Sequence, residues 1–392
     1  MPIDTLFYSL ADEEGPNAVG VVLSGMGSDG ALGLQAIKHA GGFAFAQDEA
    51  SARFHGMPAA AMELHAVDRI LPPREIARAL QRLVAHPYCA AHQREAGTAA
   101  ELSIHDEEML RRILRRLKVA SGVDFSHYKR GTIKRRLARR MAIRGCDSLQ
   151  QYLALLESAH DEPDCLFRDL LIQVTQFFRD PEVFDGLVNT VMPRLLEQRA
   201  PDQPLRIWVP GCASGEEVYS LAIAIVEYLD QQALKVQVQL FGTDLSEVAI
   251  EVARNGIYPG TIARSVSDDR LRRFFIKIDG QYRISRSIRD LCVFAAQNVV
   301  EDPPFSRLDM ISCRNLLIYL EPSLQGRVMR VFHYALKPGG FLFLGPSESV
   351  GAASDLFNPV DKRLRIFARK LLPERDLGSL LEHYDAVPNP QG

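Results

Sequence analysis

Two glycine-rich turns in this 392-residue chain have the residue types needed to hold a nucleotide-like cofactor. The first lies in AVGVVLSGMGSDGALGLQAIKHAGG, residues 18–42, where Gly25, Gly27 and Gly30 keep the G-x-G-x-x-G spacing of a dinucleotide turn. The second lies in VPGCASGEEVYS, residues 209–220, where Gly211 and Gly215 precede a helix opening at Glu216. Context separates them. Behind the first turn the strand and helix alternation runs into a polar connector after about three strands, too few for a complete mononucleotide half. The second turn follows a strand, LRIWVPG, and the next strand, VQVQLFGTD, ends in Asp244. An acid there can grip ribose hydroxyls, while the amides of the turn suit a carboxylate or phosphate. Nicotinamide and S-adenosylmethionine both fit that description, and the missing third glycine favours the sulfonium cofactor.

A second chemical feature is charge. KRGTIKRRLARRMAIR, residues 129–144, carries eight basic residues and no acid. As a helix it buries Ile133, Leu137 and Met141 at i, i+4, i+8 and turns Lys134, Arg135, Arg136, Arg139 and Arg140 into a positive face. Such a face implies an anionic partner, either nucleic acid or a carboxylate-rich protein helix.

The elements that must position these groups fall into three regions. Residues 1 to about 92 alternate strand-like and helix-like pieces, AVGVVLSG, GFAFAQ and VDRILP among them. A connector at 93–103 leads into a helical block, in which Met109, Leu110, Ile113, Leu114 and Leu117 keep a helical period and Ser148 stands as an N-cap. From Leu205 the strand and helix alternation resumes, implying a mostly parallel, doubly wound α/β sheet with its ligand at the carboxyl ends of the strands. The expected boundaries are 1–92, 93–103, 104–185, 186–372 and a tail at 373–392. Composition is 47% hydrophobic with a formal net charge of -3, which asks for neither nucleic acid nor membrane. No apolar run approaches the roughly 20 residues that span a bilayer, and no secretory signal opens the chain, so a cytoplasmic address is expected. The six cysteines stand singly, against both a disulfide framework and a metal knuckle.

YKRGTIKRRLARRM, TQFFRDPEVF, GCASGEEVYSLA, FGTDLSEVAIEVARNGIY, QNV, CRNLLIYL and LKPGGFLFLGPSES follow one another in the order seen in CheR, the chemotaxis-receptor methyltransferases. From Ser103 to Lys370 the chain resembles that family. The resemblance implies a class I methyltransferase fold, S-adenosylmethionine as donor, and transfer to glutamate side chains on the glutamate-rich helices of chemoreceptor signalling domains. It places Thr175 and Arg179 at the donor pocket, Glu217 at the methionine moiety and Asp244 at the ribose. Asn298 and Val299 would flank the adenine, Arg314 and Asn315 would lie on the loop after the fourth strand, and Tyr319 beside the methyl. Gln173 stands where many relatives carry asparagine. Arg179 and Tyr319 are the residues expected to orient the reaction, with Gly211 in the cofactor turn. The first region resembles the last third of CheB, the methylesterase, in LSGMGSDGALGL, AQDEASARFHGMP and VDRILPP. Asp29 then matches the acid of a Ser-His-Asp triad with no G-x-S-x-G before it, so this fragment is expected to be inactive.

Two other readings stand beside this one. EDPPF at 301–305 contains the D-P-P-F of amino-methyltransferases that act on a flipped base, although it lies upstream of the strand end where they carry it. A receptor-binding scaffold without activity is the other. The stretch FFIKIDGQYRISRSIRDLCVF predicts a single hairpin at Asp279–Gly280, too small to dock a receptor tail.

Overall fold

The computed structural model describes residues 1–64, 66–86, 104–171, 175–200, 203–278 and 280–371. The connector at 93–103 and the tail at 373–392 lie outside these residues. The chain divides between residues 172 and 173 into two units.

In the first unit the alternating pieces form α1 (Pro2–Glu14), β1 (Val19–Val22), α2 (Ala31–His39), β2 (Phe43–Gln47), α3 (Gly56–Glu63), β3 (Arg69–Leu71) and α4 (Pro73–Ala85). The three strands are parallel in the order β1-β2-β3. All five residues of the central strand, FAFAQ, are buried, as a parallel strand covered on both faces requires. Sequence reasoning missed α1. Its signals are Pro2 in the first turn and the i, i+4 pair Phe7 and Ala11, both buried. Asp29 serves that helix. Its carboxylate accepts the Ile3 and Asp4 amides at 3.2 and 3.0 Å, and Asp4 in turn accepts the Gly30 and Gly33 amides of α2 at 3.0 and 2.9 Å. Asp29, just ahead of α2, thus serves the first-turn amides of α1, and Asp4 of α1 serves amides at the start of α2.

The helical half consists of α5 (Ile104–Ser121), α6 (Arg130–Arg144), α7 (Leu149–Ser158) and α8 (Glu162–Leu170). The apolar stripe of α5 is buried, and Ser148 caps α7 through the Gln151 amide at 3.3 Å. Ile133, Leu137 and Met141 are buried on α6, but its positive face is a different matter. Arg139 and Arg140, expected to meet substrate, are 1% and 4% exposed. Arg139 donates to the Gly42 carbonyl at 2.9 and 2.7 Å, and pairs with Asp68 at 2.5 Å and Asp169 at 3.2 Å. Arg140 makes a two-point contact with buried Glu162 at 2.7 and 2.9 Å. Desolvating a guanidinium is so costly that each must find such partners. Lys134 and Arg130 both pair with Glu107, Arg144 with Glu162, and Arg136 reaches the His39 carbonyl. Arg135 is exposed. Much of the positive face is therefore neutralised inside the unit. Ala142 and Ile143 of α6 pack in one apolar cluster with Phe43, Phe45, Ile76, Ala79 and Leu83, so the α/β fragment and the helical block share a core.

The second unit holds α9 (Pro181–Gln198), β4 (Leu205–Pro210), α10 (Glu216–Gln231), β5 (Val238–Asp244), α11 (Glu247–Asn255), β6 (Ile257–Tyr258), α12 (Asp268–Phe274), β7 (Phe275–Ile278), β8 (Gln281–Ile284), α13 (Arg286–Arg289), β9 (Cys292–Ala296), β10 (Leu308–Cys313), α14 (Pro322–Ala335), β11 (Leu336–Leu344), β12 (Phe357–Asp361) and β13 (Ile366–Arg369). Seven strands form one sheet in the order β12-β13-β11-β10-β4-β5-β9, parallel from β11 to β9, with β13 running antiparallel to both of its neighbours, β11 and β12. This is the class I S-adenosylmethionine methyltransferase fold. The expected single hairpin is instead a three-stranded antiparallel sheet, β6-β8-β7. The added strand, Ile257–Tyr258, is two residues long and directly follows the left-handed Gly256 that ends α11, too short to show a period of its own. Cys146, Cys165, Cys212, Cys292 and Cys313 are free thiols, and Cys89 lies outside the described residues.

Candidate active site

The chain leaves β4 toward β5 and β9 on one side, then returns to place β10 and β11 on the other. The strand order therefore reverses between β4 and β10, and the loops beyond their carboxyl ends line a crevice. Three of the sequence motifs meet there: the Gly211–Gly215 turn after β4, the Arg314–Tyr319 segment after β10, and the Phe178–Asp180 turn, which Arg314 ties in.

These loops concentrate unusual backbone. Phe178, Asp180, Ala213 and Asn315 have positive φ, as do Gly211 and Gly215. A side chain at Gly215 would meet the Ala253 methyl at 2.8 Å. Non-glycine residues in this region cost roughly 1–3 kcal/mol each and persist where surrounding contacts dictate them. Here the contacts are identifiable: Ser220 Oγ accepts the Phe178 amide at 2.9 Å, and Asp244 accepts the Ala213 amide at 2.9 Å.

At the centre lie Arg314 and Glu217. The Arg314 side chain is wholly buried, sandwiched near the Phe184 and Phe343 rings at 5.4 and 5.2 Å. Its Nη2 donates to the Arg179 carbonyl at 3.1 Å and to Asp180 at 2.7 Å. Its Nε and Nη1 are buried donors without a hydrogen-bond partner. Glu217 accepts from the Ser312 hydroxyl at 2.6 Å and stands 3.7 Å from Arg314 Nη1. Burial pushes the Glu217 carboxyl above its ordinary pKa, against the opposing pull of Arg314 and Ser312. A buried guanidinium with unused donors beside a half-buried carboxylate matches a zwitterion: an α-carboxylate for the first, an α-ammonium for the second. The amino-acid end of S-adenosylmethionine is such a group, so the residues present fit it.

The other expected residues lie at the same end of the sheet. Asp244 closes β5, holding the Ala213 and Ser246 amides and keeping further lone pairs for hydroxyls. The Asn298 side chain is committed to its own turn, accepting the Val300 amide at 3.1 Å and donating to Glu301 at 3.0 Å, so Asn298 and Val299 frame this edge mainly through backbone. Thr175 is half-buried just ahead of the Phe178 turn. Gln173 lies outside the described residues. Tyr319 ends a short 3-10 turn, Leu317–Tyr319, and is half-buried. Phe305 of D-P-P-F stacks on Phe241 at 4.5 Å and meets Trp208 edge-on, committing that aromatic to the sheet face. Among the described residues no cluster of histidine, cysteine and acidic side chains could hold a metal ion.

Sequence reasoning passed over Ser312, Asp180 and Glu216. Glu216 accepts from Ser214 Oγ at 2.9 and 2.8 Å, and burial pushes its carboxyl up to about 7. An acid whose folded pKa is raised holds its proton more tightly when folded, so stability falls as pH climbs from about 4.5 to about 7. Glu216→Gln is expected to flatten that slope in denaturation midpoints measured across this window.

Comparison with known proteins identifies the domains. Residues 173–366 match the description "CheR methyltransferase, SAM binding domain", residues 108–171 "CheR methyltransferase, all-alpha domain", and residues 1–80 "CheB methylesterase". A putative methyltransferase of Pseudomonas putida, Cher3, is 34% identical over 273 residues, covering 66% of this chain and 96% of that protein. The chain belongs to the CheR methyltransferase family. A chemotaxis protein methyltransferase of the same organism, Cher2, is 32% identical and covered over 91% of its length. An uncharacterized 104.1 kDa protein of Rhodobacter capsulatus is 39% identical across 94% of this chain, which spans 40% of that relative's length. In CheR terms, residues 173–366 of the second unit are the S-adenosylmethionine-binding domain, and the CheB-like stretch is the α/β fragment that shares a core with α6.

Proposed function

We propose that the protein methylates glutamate side chains of chemoreceptor signalling domains, giving glutamate 5-O-methyl esters. The observation that carries the reading is the pairing of buried Arg314, with its unused donors, and Glu217, set in a chain whose relatives include chemotaxis protein methyltransferases. Bound S-adenosylmethionine supplies an electrophilic methyl on a sulfonium; that carbon leaves sulfur with the bonding pair left behind and joins a carboxylate oxygen of the substrate.

A glutamate side chain, with an unperturbed pKa of about 4.3, is already ionised at neutral pH, so the reaction needs no general base. What the protein must do is aim. Glu217 and Arg314 fix the donor's amino-acid end, Asp244 its ribose, and Arg179 and Tyr319 line the approach to the methyl. Opposite charges merge as the bond forms, which favours a site shielded from water. Of the positive face on α6, exposed Arg135 and half-buried Lys134 and Arg136 are the better candidates for steering an acidic receptor helix, since Arg139 and Arg140 are enclosed. A reducing, cytoplasmic compartment suits the free thiols. We further propose that the CheB-like fragment does not hydrolyse esters, and that Asp29 has a structural role through the two α1 amides it accepts.

The test combines the protein, labelled S-adenosylmethionine and receptor signalling domains, then treats the product with base. Volatile methanol is expected from carboxyl methyl esters. Base-stable label, or label only on DNA, would sink the reading. In the same assay Arg179→Ala and Tyr319→Phe are each expected to lower kcat by roughly tenfold to hundredfold through lost orientation, with unfolding midpoints close to wild type.

A further inference from the structure

The geometry points to Glu348 as the positioning residue that sets the shape of the cofactor and methyl-transfer loop, although its side chain belongs to a different strand's loop. This inference rests on the reading of the crevice as the S-adenosylmethionine site. Glu348 lies in GPSES, beyond β11, and is 4% exposed. Its Oε2 accepts the Asn315 and Gly345 amides at 2.9 and 2.8 Å, and its Oε1 accepts the Leu317 and Ile318 amides at 2.7 and 3.4 Å.

Three of those four donors belong to the segment Arg314–Tyr319. That segment has reason to need an external hold. Asn315 sits at φ 60, and the 3-10 turn Leu317–Tyr319 starts with no side-chain cap of its own. Its first amides are orphaned unless something accepts them, and Glu348 does so. The far end of the turn is held by Gln325 of α14, whose Nε2 donates to the Leu317 and Leu320 carbonyls at 2.8 and 3.1 Å. Between these two clamps the backbone must carry Arg314 toward Glu217, lay Leu316 over Gly211, and deliver Tyr319. The fit is tight: a side chain at Gly345 would meet Glu348 Oε2 at 2.7 Å. A carboxylate suits the position because both oxygens accept and neither donates. A glutamine can satisfy the amides on one side only, and turns its NH₂ toward donors on the other.

The experiment compares wild type, Glu348→Gln and Glu348→Ala as full chains, titrating S-adenosylmethionine by calorimetry and measuring initial rates. For Glu348→Gln we expect a dissociation constant raised about tenfold with stoichiometry still near one, because the loop is misplaced in folded molecules. Glu348→Ala is expected to show a larger loss of affinity and a lower kcat. If affinity of the folded fraction is unchanged and only stoichiometry falls, Glu348 is a stability residue and the inference is overturned; wild-type affinity and rate in both variants overturn it too. Absence of S-adenosylmethionine binding by wild type would instead overturn the cofactor reading.

Discussion

Glu217→Gln is expected to weaken S-adenosylmethionine binding by about 10- to 100-fold while leaving the fold in place. The glutamine keeps shape and an acceptor for the Ser312 hydroxyl, but loses the negative charge that an α-ammonium needs. A hydrogen bond between charged groups contributes roughly 1.5–3 kcal/mol, which sets that range. Two opposing terms act on stability: the buried charge is relieved, and the 3.7 Å attraction to Arg314 is lost. Their difference should stay within about 1 kcal/mol. Calorimetric titration beside thermal unfolding reads both quantities, and an unchanged dissociation constant would remove Glu217 from the cofactor site. The pH dependence has a definite sign. Burial raises the Glu217 pKa and only the carboxylate attracts an ammonium, so wild-type affinity should fall as pH drops through that raised value, whereas the glutamine variant should follow a flatter curve.

The second large effect is expected far from this crevice. Arg139→Ala should cost the first unit about 3–5 kcal/mol, because buried Asp68 and Asp169 lose their nearest cation and keep only Lys38 and Arg140, each at 3.7 Å. Arg135→Ala, on the exposed side of the same helix, should cost less than about 0.5 kcal/mol. Since Arg139 joins α6 to the Gly42 carbonyl at the entrance to β2, amide exchange should quicken together in residues 43–47 and 130–144. Faster exchange in α6 alone would contradict a shared core. Burial resists ionisation of Asp68, yet Arg139 and then Lys38 outweigh it and hold its pKa below the ordinary value. Its stabilising contribution is therefore complete above about pH 4 and disappears as pH falls through the lower folded pKa.

These two sites differ in how readable they were. The turn after β4, Asp244 at the end of β5 and the order of strands and helices are local patterns, and the crevice follows from them by connectivity. Arg139 is the contrary case. Its period on α6 is visible, but nothing near it in sequence reveals that Asp68, 71 residues away, and Asp169, 30 residues away, enclose it. A charge run gives the number of cations and not which of them the fold consumes. Glu348 was hidden for the same reason: the donors it accepts from, at Asn315 and Leu317, lie 33 and 31 residues back and are backbone amides, which carry no residue signature. The edge strand Ile257–Tyr258 was hidden by length alone.

The interlocked carboxylates of α1 and α2 change what an inherited residue can testify to. The resemblance to the esterase matches Asp29 to a triad acid, yet the two amide protons of α1 that it accepts would give natural selection a reason to retain it that has nothing to do with ester hydrolysis. Asparagine could satisfy such amides less well, and alanine would leave them bare. Across descendants of this fragment, persistence of an acid at this position would therefore record helix pairing, and its presence in a genome says nothing about demethylation. The discriminating mark is its reciprocal partner: where Asp4 and Asp29 survive together, the pair has been preserved as architecture.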